Sequence, residues 1–217
     1  MNDITLSLLV VLAVGLLIVL IFVLVRRNRL EQEKQLKQMA LERGWRLEVV
    51  RERLMSGYRI FHKEWQLDLL TQSSGGPEAE GSSNVTASTV WHAPGAGDTI
   101  LIGPRTTQIK MGGLGDALIQ QVLQMALGSE ATGLVEVREG STQFQKDFMI
   151  WAKDAEDVRR LISPYLESTL INWKKDSPMV KRTAAGLSIE LRNIRLKKPE
   201  DIVTMIKLGE ILLSQGE

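Results

Sequence analysis

The chain has 217 residues, 44% of them hydrophobic and 24% charged, which bounds it to one domain or two small ones and excludes wholesale disorder, collagen-like and low-complexity character. Formal charge is +1, and residues 1–29 hold three bases (Arg26, Arg27, Arg29) against one acid (Asp3), so the remainder is net −1. A near-neutral body argues against nucleic-acid binding, which needs a cationic surface to displace counterions. The absence of cysteine excludes disulfides, zinc–thiolate sites, iron–sulfur clusters and a cysteine nucleophile, and two histidines leave little room for a histidine-rich metal site.

From Ile4 to Val25 the polar side chains are Thr5 and Ser7 alone. At 1.5 Å per residue the stretch makes a helix of about 33 Å, against a hydrocarbon core of about 30 Å, and residues 4–25 are therefore predicted to form a transmembrane helix. A signal peptide fits less well: the start is Met1-Asn2-Asp3, the apolar run is long, and no Ala-x-Ala precedes the polar flank. Arginines 26, 27 and 29 crowd one end, so residues 1–3 are expected outside and the C-terminal body in the cytoplasm. The style is that of a bacterial inner-membrane protein. Gly15 stands alone, without a Gly-x-x-x-Gly.

Residues 26–43 read as a juxtamembrane helical stalk. The part from Asn28 has no Gly or Pro, Glu33 and Lys37 make a supportive pair four apart, and Leu36, Met39, Ala40 and Arg43 line one face before Gly44 caps the end. From Gly44 the period changes to two. Trp45, Leu47 and Val49 alternate with Arg46, Glu48 and Val50, and Tyr58, Ile60 and His62 with Arg59, Phe61 and Lys63; Trp65, Leu67 and Leu69 follow a turn at His62-Lys63-Glu64. Residues 72–83 (QSSGGPEAEGSS) are expected as a flexible loop, followed by a strand from Asn84 to His92, a turn at 93–98 and a short strand from Thr99 to Gly103. The middle of the chain is thus predicted to be an antiparallel meander of four or five strands.

Further on, Leu114, Leu118, Val122, Met125 and Ala126 fall on one helical face ended by Gly128. Phe144 to Ala152 is predicted as a strand, and Asp154 to Trp173 as a helix with Val158, Leu161, Ile162, Tyr165, Leu166, Leu170 and Trp173 as its stripe. That helix should kink or restart with Ser163 as N-cap and Pro164 at N1. Val180–Thr183 and Leu187–Leu196 pair around Ala185-Gly186, with a phase slip near Arg192-Asn193 that suggests a bulge. Pro199 opens the last helix, whose buried face is Ile202, Met205, Ile206, Gly209, Leu212 and Leu213. Strands in sequential runs favour an α+β domain over residues 44–217, an antiparallel sheet with packed helices.

Lys110-Met111-Gly112-Gly113-Leu114-Gly115-Asp116 resembles the Lys-x-Gly-Gly-Leu-Gly-Asp segment of bacterial glycogen and plant starch synthases. The resemblance implies a loop that approaches a nucleotide-sugar, with glycines permitting close backbone approach and a helix N-terminus facing phosphate. It covers seven residues of a chain too short for two Rossmann-like domains. A glycine turn capping the helix from Leu114 is the preferred reading. Asp154, Glu156 and Asp157 read as a helix N-terminus rather than a metal or acid–base cluster. His62 and His92 read as polar strand-edge positions rather than a metal or proton-transfer pair. Trp45, Trp65, Trp91, Trp151 and Trp173 are expected mostly in the core, four on strands and one at a helix end. Bases at Lys174-Lys175, Lys181-Arg182 and Arg192 through Lys198 read as solvated faces, with contact to anionic lipid as the sharper alternative.

These readings converge on a single-pass membrane-anchored protein with a cytoplasmic binding or interaction domain. No catalytic, cofactor-binding or metal-ligating residue is assigned. The expected partners are the lipid bilayer through residues 4–25, another membrane protein or a second copy, and anionic lipid, with no nucleic acid. Two alternatives stand beside it: a tethered enzyme that binds a nucleotide or nucleotide-sugar at Gly112–Asp116, and a self-assembling subunit of a membrane complex.

Overall fold

The computed structural model describes residues 3–74, 84–95, 97–105, 121, 123–124, 127–173 and 176–215, the side chains of 3–11, 13, 29 and 84 apart. The first element is one long helix, α1 (Asp3–Glu42). The expected transmembrane helix is corrected here: no helix among the described residues is long and apolar enough to cross a membrane. The unbroken apolar stretch with described side chains, residues 14–25, gives about 18 Å of helix, short of a hydrocarbon core of about 30 Å, before Arg26 and Arg27 end it. It forms an apolar arm in which Leu16, Ile18, Leu20, Phe22 and Val25 are all more than half exposed.

The C-terminal third of α1 behaves differently. Leu36, Met39 and Ala40 are buried, and Leu36 and Met39 join the main core with Tyr58. The predicted stalk face therefore packs on the chain's own sheet. Gly44, at φ 68°, ends the helix in a left-handed turn: its N–H donates to Leu41 O at 3.2 Å and that of Trp45 to Ala40 O at 2.8 Å. That pair satisfies two carbonyls the helix end would otherwise leave open.

Nine described strands form one antiparallel sheet: β1 (Arg46–Arg51), β2 (Met55–Phe61), β3 (Gln66–Ser74), β4 (Asn84–Ala93), β5 (Ile100–Pro104), β6 (Val135–Val137), β7 (Phe148–Ala152), β8 (Met179–Thr183) and β9 (Gly186–Arg192). Their order is β1-β2-β3-β4-β9-β8-β5-β7-β6. The meander is as expected through β4. Strand β5 leaves it to lie between β8 and β7, while β9 closes on β4.

Register explains the stability of so wide a sheet. Leu47, Ile60, Leu67, Trp91, Ile189, Val180, Ile102, Ile150 and Val137 stand opposite one another in a single row across all nine strands. A slip by one residue would turn each strand's share of this row to the other face, so the pattern fixes the pairing. The adjacent row on the opposite face runs Glu48, Arg59, Asp68, Val90 and Glu190 across β1–β4 and β9. That half of the sheet turns charge outward, whereas under β5, β7 and β8 a second cluster of Leu101, Leu123, Leu127, Ala131 and Leu134 covers it.

Among the elements described in full, four short or medium α-helices follow α1: α2 (Thr142–Asp147), α3 (Ala155–Leu161), α4 (Pro164–Ile171) and α5 (Pro199–Ser214). Their buried side chains, among them Phe144, Val158, Leu166, Leu170, Met205 and Leu212, join the row above in the main core. The predicted strand 144–152 is shortened at its start. Ser141 Oγ accepts from Phe144 N at 3.2 Å and opens α2, and Phe144 stacks on Phe148 one turn later at 5.0 Å. The predicted helix 154–173 is two helices with the expected caps: Asp154 accepts from Glu156 N at 3.0 Å and Ser163 Oγ from Leu166 N at 3.2 Å. The slip near Arg192-Asn193 is a strand end rather than a bulge. Asn193 takes φ 60° and turns the chain out of the sheet.

The departing segment is held by one buried side chain. Thr89 Oγ1 donates to Ile194 O at 2.9 Å and accepts from Leu196 N at 3.0 Å. Of the predicted flexible loop 72–83, Gln72–Ser74 belong to β3 and the remainder lies outside the described residues.

Candidate functional site

A concavity lies between α4 and α5. Local sequence sets both walls. Ser163 caps α4 with Pro164 at N1, and Pro199 at N1 with Glu200 and Asp201 in the first turn opens α5. The cleft has a volume of about 490 Å³. Its lining pairs Asn172 and Trp173, at the end of α4, with Glu200, Asp201 and Thr204 at the start of α5. A neighbouring recess of about 550 Å³ shares Tyr165 and Lys207 and extends to Ser163, Glu210 and Ser214. The two helices therefore run antiparallel with one continuous groove between them.

Its serine and threonine hydroxyls and the Asn172 amide are occupied within their own helices. Ser168 Oγ and Thr169 Oγ1 donate to Tyr165 O at 2.9 and 2.8 Å, Thr204 Oγ1 to Glu200 O at 2.9 Å, and Ser214 Oγ to Ile211 O at 2.8 Å. Asn172 Nδ2 donates to Ser168 O at 2.8 Å. Hydroxyls tied down this way make a surface for contact rather than activated nucleophiles. Tyr165 at the centre is 56% exposed, and Glu200, Asp201 and Glu210 outnumber Lys207, so the groove is aromatic and acidic.

Tyr165 corrects its expected place in the buried stripe. The break at Ser163-Pro164 resets the helical phase, so that Leu166 and Leu170 carry the buried face and Tyr165 turns outward. Nothing in the sequence marked Thr204 and Lys207 as its partners, because α5 starts 28 residues after α4 ends.

A second recess, of about 570 Å³, lies where β2, β3 and β4 meet α1, lined by Gln32, Ser56, Thr71, Ala87, Asn193, Ile194, Arg195 and Lys197. Arg195 is positioned within it: Nη1 donates to Thr71 Oγ1 at 3.2 Å, and the guanidinium lies 5.4 Å from the centre of the Tyr58 ring.

The other predicted positions stay apart. His62 stacks on Trp65 at 5.3 Å, while His92 stands on the outward face in register with Gln66 and Ser188. Among the described residues no group of three or more His, Asp or Glu is placed to hold a metal ion. Glu139, bonded to the Arg159 guanidinium at 2.8 Å, raises its pKa, and Glu156, paired with it at 3.3 Å, adds to the shift. Lys181 and Arg182 stand at the His92 end of the sheet, opposite Ser188 and Leu187, whereas Arg192 through Lys198 stand at the other end. Lys174-Lys175 and the Gly112–Asp116 loop lie outside the described residues.

Trp91 is fully buried in β4 and Trp65 is buried just before β3. Trp45 and Trp173 flank elements and are half-buried, as is Trp151 within β7, so two strands carry tryptophans where four were expected. No family model matches the chain, and comparisons with curated proteins and with solved structures find no match either.

Proposed function

We propose that the chain is a membrane-attached interaction protein, its apolar arm lodged in lipid and its α+β domain held beside the cytoplasmic leaflet to bind a partner along the α4–α5 groove. The observation that carries this reading is the arm. From Leu16 to Val25 every large side chain is exposed, in all directions around the helix. An apolar face would fit a flat protein surface; a helix apolar all round needs apolar surroundings on every side. Lipid supplies them without a dedicated partner.

Arg26 and Arg27 at the arm's end suit the negative potential of the cytoplasmic leaflet. The groove's aromatic and acidic lining suits a segment that carries basic and apolar side chains, such as a neighbouring membrane protein would offer. The test is flotation of the full chain with neutral phosphatidylcholine vesicles, beside a variant carrying Leu16→Gln, Leu20→Gln, Phe22→Gln and Val25→Gln. The native chain is expected to float and the variant to stay below. A native chain that remains below as a defined oligomer would overturn attachment and favour arm-to-arm assembly.

A further inference from the structure

We infer that the sheet end from which the arm emerges binds the phosphate of an anionic lipid headgroup, seated in the recess formed by Gln32, Thr71, Asn193, Arg195 and Lys197. The membrane side of this inference rests on the attachment proposed above; the site itself rests on four observations.

The first is direction. Helix α1 reverses at Gly44 and β1 runs back alongside it, with Arg51 reaching Glu33 at 3.4 Å. Nine residues of helix cover about 14 Å and five of strand about 17 Å, so the two ends coincide. The arm therefore leaves at the Arg51 end of the sheet, where register also sets Ser56, Thr71 and Ala87 side by side.

The second is charge. Arg53, Lys197 and Lys198 gather at that end with Arg192 and Arg195. Among the described residues Arg53, Lys197 and Lys198 make no ion pair; of the acids at this end Glu33 is engaged by both Lys37 and Arg51, Glu190 holds Arg192 at 3.3 Å, and Glu52 beside Arg53 leaves the cluster with a basic excess. Arg26 and Arg27 on the arm lie about 9 Å above Gln32 along the helix, near where headgroups would begin.

The third is preorganisation. Asn193 turns the chain, Thr89 pins Ile194 and Leu196, and Thr71 and Tyr58 hold Arg195 between them. A guanidinium already ordered loses little more freedom on binding, and its fork matches phosphate oxygens, with Gln32, Thr71 and Asn193 as further polar neighbours. The fourth is apolar. Leu54 and Val85, 47% and 62% exposed, sit at the same sheet end, where a bilayer interface would accept them.

The experiment measures partition of the full chain onto phosphatidylcholine vesicles, whose phosphodiester is masked by choline, and onto phosphatidylcholine–phosphatidic acid vesicles (about 2:1), whose added charge is an exposed phosphate monoester. Each basic residue near an anionic surface contributes about fivefold, so the exposed triple variant Arg53→Gln, Lys197→Gln, Lys198→Gln should bind the anionic vesicles on the order of 100-fold more weakly and the neutral ones unchanged. Arg195→Lys keeps the charge and removes the fork; about tenfold weaker partition onto anionic vesicles is expected, again with neutral vesicles unaffected.

Native-like partition of either variant overturns the site. Excess inorganic phosphate that raises the melting temperature of the vesicle-free chain, and does not do so for Arg195→Lys, would assign the recess to a soluble phosphate compound and overturn the lipid source. Failure on neutral vesicles alone strikes the attachment reading, whereas the anionic-to-neutral ratio tests this inference separately.

Discussion

Gly209→Ala should destabilise the domain, against the intrinsic preference of the helix that contains it. Gly209 lies in the interior of α5, where alanine is ordinarily favoured by about 1 kcal/mol. Here the helix backbone rests on the Trp91 indole, and a Cβ on residue 209 would fall inside the contact radius of Cδ2, Cε2 and Cζ2. Carbon contacts settle at about 3.5–4 Å, so α5 or the ring must yield by roughly 1 Å or more. The ring has nowhere to go: Trp91 is 0% exposed and flanked in the sheet by Leu67 and Ile189. Overpacking of this kind costs about 1–3 kcal/mol, occasionally more, and a forced off-rotamer indole about 1 kcal/mol. Net of the propensity gain, a loss of about 2 kcal/mol is expected, or about 4–8 °C in a chain of this size. Urea and thermal unfolding of the full chain, followed by near-ultraviolet tryptophan signals, would measure it. The double variant with Trp91→Phe should recover about 1 kcal/mol or more of coupling, because the smaller ring restores room and the indole N–H it removes has no partner. A Gly209→Ala chain as stable as the native one, or more so, would refute the close approach of α5 to β4.

Two further substitutions probe other links. Thr89→Val keeps the shape of a fully buried side chain but leaves Ile194 O and Leu196 N–H without their partner, for a loss of about 2–4 kcal/mol and faster amide exchange at Leu196; unchanged exchange would show that the 193–198 segment is held by other contacts. Ser163→Ala removes the cap from Leu166 N and should cost about 1 kcal/mol in urea unfolding, with Ser163→Asp restoring most of it; equal loss in both variants would point to packing instead of capping.

Locally encoded features were legible from the chain alone, because the groups that decide them lie within a few residues of one another. The caps at Asp154 and Ser163, the reversal at Gly44 and the Pro199 start are of this kind. Phe144 fell to an ambiguity of period, since positions 144, 148 and 150 share strand parity while 144 and 148 are also one helical turn apart; the Ser141 cap resolves it toward helix. The insertion of β5 between β8 and β7 depends on pairing across some 80 residues, which periodicity does not carry. The groove and the Arg195 recess are likewise products of topology. Thr71 and Arg195 are 124 positions apart, and neither residue resembles a motif. The arm shows the opposite failure: its hydrophobicity is plain, but a span inferred from residue 4 is not carried by the described side chains, which supply a shorter apolar stretch.

The two concavities are linked by the short run of chain from Lys197 to Glu200, and this bears on what the domain can recognise. Lys197 lines the basic recess, Lys198 stands at the N-cap of α5, Pro199 starts the helix, and Glu200 and Asp201 open the acidic groove immediately afterwards. α1 is one helix from the arm to the core residues Leu36 and Met39, and it also touches α5, so the Glu200 end of the groove lies toward the sheet end from which the arm leaves. The groove then runs away from that end along α5 toward Ser214. With the arm lodged in lipid as proposed, a partner helix that emerges from the same membrane with basic residues at its foot would meet Glu200 and Asp201 first and Tyr165 farther along. A free peptide gains nothing from this order, whereas a membrane-held partner arrives already oriented, which raises its effective concentration at the groove without any additional contact.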